Sequence, residues 1–172
     1  MTKFKDNLKE GLACLIILFF VLGVISLFTP AYADTIPVDN GNVLSGWYFE
    51  VRTNPVTGKR IYHHALDFPA PKYTPIVSIL SGEVTVADYN EIRGNYIEIA
   101  DSPTSFYRYC HLQNYRVFVG DNVAEGTVFA TVGNTGRSYG PHLHVERWVN
   151  GRCVFFTDSF GVKFKILPQK LQ

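Results

Sequence analysis

Acidic and basic blocks are missing from this sequence, internal repeats are missing, and charged residues make up only 18% of its 172 positions. Without a basic stripe, the electrostatic footprint that nucleic-acid binding requires is absent. Without repeats, the chain reads as one ordinary globular domain. Helical periodicity is missing too: beyond residue 33 no stretch sustains the pattern long enough to cover a sheet, which excludes layers of helix packed on strands. Cysteine is scarce, with three residues, of which only Cys110 and Cys153 lie in the body of the chain. What the chain does have is apolar bulk, 47% hydrophobic and 15% aromatic, enough for a packed core.

The first 33 residues stand apart. Lys3, Lys5 and Lys9 precede an uncharged, mostly apolar run from Gly11 to Phe28, followed by Pro30 and the small-residue signature Ala31-Tyr32-Ala33. That is the order of a secretory signal cut before Asp34, leaving a domain of residues 34–172. An apolar run of about 18 residues also reaches the lower limit for spanning a bilayer, so a retained membrane anchor through residues 11–28 is the alternative. Lipid attachment fits less well, since Cys14 stands near the start of the run and does not end it. Each reading places the working domain outside the cytoplasm, in the periplasm, the cell envelope or the extracellular space. Removing residues 1–33 takes away three of 16 basic and two of 15 acidic residues and leaves a neutral domain with 13 of each.

Short alternating or apolar runs recur between turn signals. Expected strands are Trp47 to Arg52, Pro75 to Ile79, Glu83 to Val86, Tyr96 to Ala100, Phe106 to His111, Arg116 to Val119, Thr127 to Val132, His142 to Val149, Arg152 to Phe156 and Lys163 to Ile166. The turns between them include Asn54-Pro55, Ser81-Gly82, Gly133-Asn134-Thr135-Gly136 and Asn150-Gly151. The expected fold is therefore all-β, an antiparallel sandwich or barrel. An oxidising compartment permits a disulfide between Cys110 and Cys153. Strand parity argues against it. Asn150-Gly151 reads as a two-residue hairpin that sets Cys153 opposite Trp148, on the face of His142 and His144, whereas Cys110 adjoins His111 and should point away from whatever His111 faces. A bulge would undo that argument.

The chemistry concentrates in the histidines. In Gly140-Pro-His-Leu-His-Val-Glu146, alternation puts His142 and His144 on one face of a strand, roughly 6.5 Å apart, and turns Leu143 and Val145 into the core. In Tyr62-His-His-Ala-Leu-Asp67, His63 and Asp67 are four apart and return to one face, and if the stretch is extended the residue between them on that face is the small Ala65. His111 follows Tyr107-Arg-Tyr-Cys110. Three elements thus offer imidazole or carboxylate to a shared centre. Such donors suit a catalytic zinc with three protein ligands and an open position. They also suit a non-haem iron held by two histidines and a carboxylate, and unrelated surface histidines are the plain alternative. The surplus of histidines favours hydrolysis, which needs a base beside the attacking water and a donor for the oxyanion.

Several linked stretches resemble the lysostaphin-type or LytM-like zinc metalloendopeptidases that cut peptide cross-links in bacterial cell walls. These are Arg52-Thr-Asn-Pro-Val-Thr-Gly58, His63-His-Ala-Leu-Asp67, Phe68-Pro-Ala-Pro-Lys-Tyr-Thr-Pro75 with Gly82-Glu-Val84, Tyr109-Cys-His-Leu112, Val119-Gly-Asp-Asn-Val123, Gly133-Asn-Thr-Gly-Arg-Ser138 and Gly140-Pro-His-Leu-His144. They occur in the family's order and cover residues 45–151. The resemblance implies one zinc ion on His63, Asp67 and His144. It leaves His111 and His142 off the metal, one taking a proton from the attacking water and the pair holding the tetrahedral intermediate. It also implies peptidoglycan peptide as substrate and an antiparallel sheet forming a groove with the metal on its floor. The sequence departs from the family at Ala65, where a glycine is usual, and at Tyr73, where another glycine is common. Neither change removes a ligand or a catalytic histidine.

Two rivals stand beside this reading. A non-catalytic module of the same fold would bind cell wall or activate another hydrolase, as relatives that have lost ligands do. A carrier or binding domain is suggested by Val119-Gly-Asp-Asn-Val123 and Gly126-Thr-Val128, though no lysine stands at the turn for modification. Strand parity turns His64 away from His63, so it reads as a surface or structural residue. Tyr107 and Tyr109 share the parity of His111 and either line a groove or belong to the core. Asp121 and Asn122 suit a turn, and Gly133 to Gly136 reads as a tight loop delivering the following strand to the site.

Overall fold

A computed structural model describes residues 35–46, 50–53, 58–156, 160 and 165–166. The apolar run Gly11 to Phe28, the signature Ala31-Tyr32-Ala33, the turn Asn54-Pro55 and parts of the first and last expected strands lie outside the described residues. The described chain is all-β with no α-helix, as the missing helical period requires.

Thirteen strands follow in chain order: β1 (Val43–Leu44), β2 (Val51–Thr53), β3 (Arg60–Tyr62), β4 (Leu66–Pro69), β5 (Pro75–Val77), β6 (Gly82–Asn90), β7 (Gly94–Ser102), β8 (Ser105–Tyr115), β9 (Asn122–Val123), β10 (Val128–Val132), β11 (His142–Val149), β12 (Arg152–Val154) and β13 (Lys165–Ile166). Nine of them form one antiparallel sheet. Its main path runs β12-β11-β8-β7-β6-β9, with β4 on β11 and with β10 joining β5 to β8. Strands β2 and β3 make a separate antiparallel pair, and β1 pairs with β13 in parallel.

Strand β11 lies at the centre of what matters. On one edge β8 pairs with it from His144↔Cys110 to Val149↔Ser105. On the other edge β4 pairs with His142 to Val145 and β12 with Arg147 to Val149. The turn between β11 and β12 is Asn150-Gly151, with φ of 50° and 72°, the two positive values that a type I′ hairpin requires. Alternation then separates the faces as expected: Leu143 and Val145 are fully buried with Phe68, Ile97, Ile99 and Tyr109, while His142, His144, Glu146 and Trp148 share the opposite face. Full burial of each such aliphatic side chain contributes about 1.5–3 kcal/mol, which holds the strand flat beneath its histidines.

Some expectations change. Arg116 to Val119 is not a strand: β8 runs on to Tyr115, and the following backbone turns where Phe118 N–H donates to Asp121 Oδ2 at 2.8 Å. That bond is the turn role expected of Asp121. His63 to Ala65 is not extended strand either, since β3 stops at Tyr62 and β4 starts at Leu66. Tyr107 and Tyr109 belong to the core and not to a groove, being 5% and 0% exposed, and the Tyr109 hydroxyl accepts from Ile79 N–H.

Candidate metal centre

Two neighbouring strands and a connecting loop build the site. Asp67 in β4 is the direct cross-strand partner of His144 in β11, so their side chains meet without any loop to position them. His63 sits just past β3, fixed by its N–H donating to the Glu50 carbonyl at 2.8 Å. The result is a tight triangle: His144 Nδ1 to Asp67 Oδ1 is 2.8 Å, His63 Nε2 to the same oxygen 3.2 Å, and His63 Nε2 to His144 Nδ1 3.3 Å.

That triangle fits a metal. Ligands about 2.0–2.1 Å from a tetrahedral zinc lie about 3.3 Å from one another, close to all three separations. The donor set, two imidazoles and one carboxylate, is also of the kind a catalytic zinc takes. His63 and Asp67 are almost completely buried, so their convergence is part of the packed structure and not a surface accident.

Asp67 is held from behind. Its second oxygen, Oδ2, accepts from Arg52 Nη2 at 2.8 Å, and Arg52 in turn donates to Glu50 Oε2 at 3.2 Å. Gly46 makes room for this pair, since a Cβ there would lie 2.2 Å from Asp67 Oδ2 and 2.3 Å from Arg52 Nη2. Burial opposes the charge on Asp67, yet hydrogen bonds from His144 and His63 outweigh it and hold the carboxyl well below its usual range. For His144, burial disfavours the cation, but hydrogen bonds to Asp67 and Glu146 win and raise its pKa to about 9 with no metal present.

The other two histidines are oriented by backbone carbonyls. His111 Nδ1 donates to Thr135 O at 2.8 Å, and His142 Nδ1 to Gly140 O at 2.8 Å, which leaves Nε2 of each as an acceptor. Their ring centroids are 4.8 Å apart, and His142 Nε2 stands 3.8 Å from Asp67 Oδ1. Burial, then repulsion from His142 and His144, lowers the pKa of His111 to about 4. Burial also lowers that of His142, against the attraction of Asp67. Both shifts favour the neutral, proton-accepting form of the ring.

His111 reaches the site through a bulge. Between the pairs Tyr109↔Ile97 and Leu112↔Asn95, strand β8 carries Cys110 and His111 against Tyr96 alone, and His111 adopts φ 62°. The extra residue breaks the alternation that was expected to turn Cys110 away from the side His111 faces. Cys110 is the register partner of His144 and lies within the same cluster. It is a buried free thiol, and Cys153 donates its thiol to the His64 carbonyl at 2.9 Å. His64 is exposed, edge-on to Tyr62 at 6.5 Å.

Three overlapping groups of metal-ligating atoms are present among the described residues, each within 4.8 Å: His63, Asp67 and His144; His111, His142 and His144; and Cys110, His144 and Glu146. Only the first combines the tight triangle with a carboxylate that offsets the charge of a cation. All five residues expected at the site are thus brought together. Arg52, Gly46 and Glu146 carry no role in the sequence reading; for Glu146 the signal was present, since it stands two residues after His144 and so on its face.

Comparison with known proteins places this architecture. The model of "Peptidase family M23" matches residues 61–155. Peptidoglycan DD-endopeptidase ShyC of Vibrio cholerae is 44% identical over 100 residues, which is 58% of this chain and 23% of that protein. The three Vibrio cholerae DD-endopeptidases matched are covered over only 23% to 28% of their length. A crystal structure of a zinc containing peptidase from Vibrio cholerae superposes with a TM-score of 0.65 at 33% identity, over 75% of this chain and 39% of that one. The catalytic domain of lysostaphin from Staphylococcus simulans gives 0.58 at 32% identity, over 64% and 83%.

Proposed function

This chain belongs to peptidase family M23, and from that premise we propose that it is a zinc-dependent endopeptidase that hydrolyses peptide cross-links or stem peptides of bacterial peptidoglycan. The observation that carries the reading is the triangle of His63 Nε2, Asp67 Oδ1 and His144 Nδ1 at 2.8 to 3.3 Å, with the rings of His111 and His142 beside it. We propose further that residues 1–33 direct export, as a cleaved signal or as a tether through residues 11–28, and that residues 34–172 work in the cell envelope.

His63, Asp67 and His144 would hold the ion. Lewis acidity toward the scissile carbonyl and a lowered pKa for the attacking water are what such an ion supplies when bound. Everything else falls to the chain. Arg52 on Oδ2 holds the carboxylate of Asp67 with Oδ1 aimed at His63 and His144. His111 and His142, with Nδ1 protons committed to Thr135 O and Gly140 O, present Nε2 as the atom that accepts the water's proton. Once protonated, the same Nε2 donates to the oxyanion or passes the proton to the departing amine. The carbonyl anchors fix both rings in advance, so orientation is not lost to ring rotation at the moment of reaction.

The test is direct. Purified chain incubated with peptidoglycan should release new amine termini in a chelator-sensitive manner, and mass analysis of the products identifies the bond cut. No release across several wall types favours a non-catalytic wall-binding or hydrolase-activating module instead.

A further inference from the structure

Resting on the metal reading above, we propose that Glu146 is a positioning residue: it fixes which nitrogen of His144 faces the metal, and Arg108 and Trp148 hold it in place for that purpose. The arrangement follows from strand alternation. His144, Glu146 and Trp148 stand in line on one face of β11, and Glu146 lies directly opposite Arg108 of β8. Glu146 Oε1 lies 3.3 Å from His144 Nε2. Its other oxygen, Oε2, accepts from Arg108 Nη1 at 2.5 Å and from Trp148 Nε1 at 2.6 Å. Arg108 is itself fixed, since its Nε donates to Glu98 Oε1 at 2.7 Å and its guanidinium lies over the stacked rings of Phe106 and Trp148.

A neutral imidazole carries its proton on one nitrogen and a lone pair on the other, and only the lone pair binds metal. With the proton on Nε2, donated to Glu146, the lone pair of His144 sits on Nδ1, the atom that faces Asp67 Oδ1 and His63 Nε2. A proton on Nδ1 would fill the place of the ion. An ionised carboxylate that can only accept selects the first tautomer. Because Oε2 already has two strong donors, Glu146 has no reason to turn away from His144. Glu98 also pairs with Arg108 but makes no bond to His144, so it separates a positioning role from mere support of Arg108.

The experiment is zinc affinity, by chelator competition on folded protein, for the unmodified chain and for Glu146→Gln, Glu146→Ala and Glu98→Gln. The glutamine is nearly isosteric, but its one carbonyl oxygen is claimed by Arg108 and Trp148, which turns an amide N–H donor toward His144 Nε2. Both Glu146 variants should bind zinc about 10- to 100-fold more weakly, while Glu98→Gln stays close to the unmodified chain. Long-range proton–nitrogen spectra of the zinc-loaded chain should place the His144 proton on Nε2. Undiminished affinity in a folded Glu146→Gln protein overturns the positioning role alone. An unmodified chain that takes up no zinc overturns the metal reading, and this inference with it.

Discussion

Gly46 shows how much of the site rests on residues that do no chemistry. Its missing Cβ leaves the space in which Arg52 reaches Asp67, and a methyl group there would collide with both side-chain ends. Gly46→Ala is therefore expected to displace Arg52, cost about 1–3 kcal/mol in urea unfolding and weaken zinc binding on the order of tenfold; unchanged stability and affinity would refute the account of Asp67. The five residues that meet at the site were legible in the sequence as candidates, because imidazole and carboxylate recur in three elements, but it was the family resemblance and not their spacing that drew them into one set. Arg52 could be read only as part of a turn motif, and Gly46 not at all. Their roles arise from contacts 15 and 21 positions away along the chain, and no local periodicity encodes such contacts.

At the scale of elements, β11 was legible to the residue, because strict alternation around Leu143 and Val145 leaves it a single register. Strand β8 was not. Its bulge at His111 adds one residue without altering the hydrophobic pattern, and this hid both the φ of 62° and the true direction of Cys110. Arg116 to Val119 failed for a different reason: Phe118 and Val119 are exposed at a turn, while Val117 packs against the core. The loop Gly133 to Gly136 turns out to support the bulge: the Thr135 carbonyl holds His111, and Thr135 Oγ1 donates to Leu112 O at 2.9 Å. Gly136 adopts φ 69° with its Cα hydrogens against Gly94, where a Cβ would lie 2.1 Å from the Gly94 backbone nitrogen. Gly136→Ala should thus push the Thr135 carbonyl off His111, lowering cleavage at least tenfold while zinc stays bound, since no ligand lies on this loop. Equal loss of zinc and cleavage would mean that the loop supports the whole centre and not His111 in particular.

For the whole molecule, the buried site makes the stability of the metal-free protein depend on pH in two directions. His111 has a folded pKa near 4 against 6.5, so its contribution is complete above pH 6.5 and is lost as pH falls toward 4. Asp67, depressed by its histidine partners, is lost in the same direction at lower pH. His144, raised to about 9, contributes fully below pH 6.5 and loses that contribution as pH climbs through 9. In chelator, urea midpoints should therefore peak near pH 6 to 7 and fall on both sides. Saturating zinc should raise the curve and remove the alkaline fall, because a bound ion excludes the proton from Nδ1 of His144. A metal-free midpoint that rises from pH 6.5 to 9 would contradict the assignment of His144 between two carboxylates. The central claim divides the histidines into those that hold the ion and those that handle protons, and one paired measurement tests it most directly: zinc content and peptidoglycan cleavage on the same preparations of the unmodified chain, His63→Ala and His111→Ala. The account predicts one zinc and cleavage for the first, neither for the second, and for the third a full complement of zinc with cleavage reduced by about 10²–10⁴. Full activity in His111→Ala, or retained zinc in His63→Ala, would contradict it.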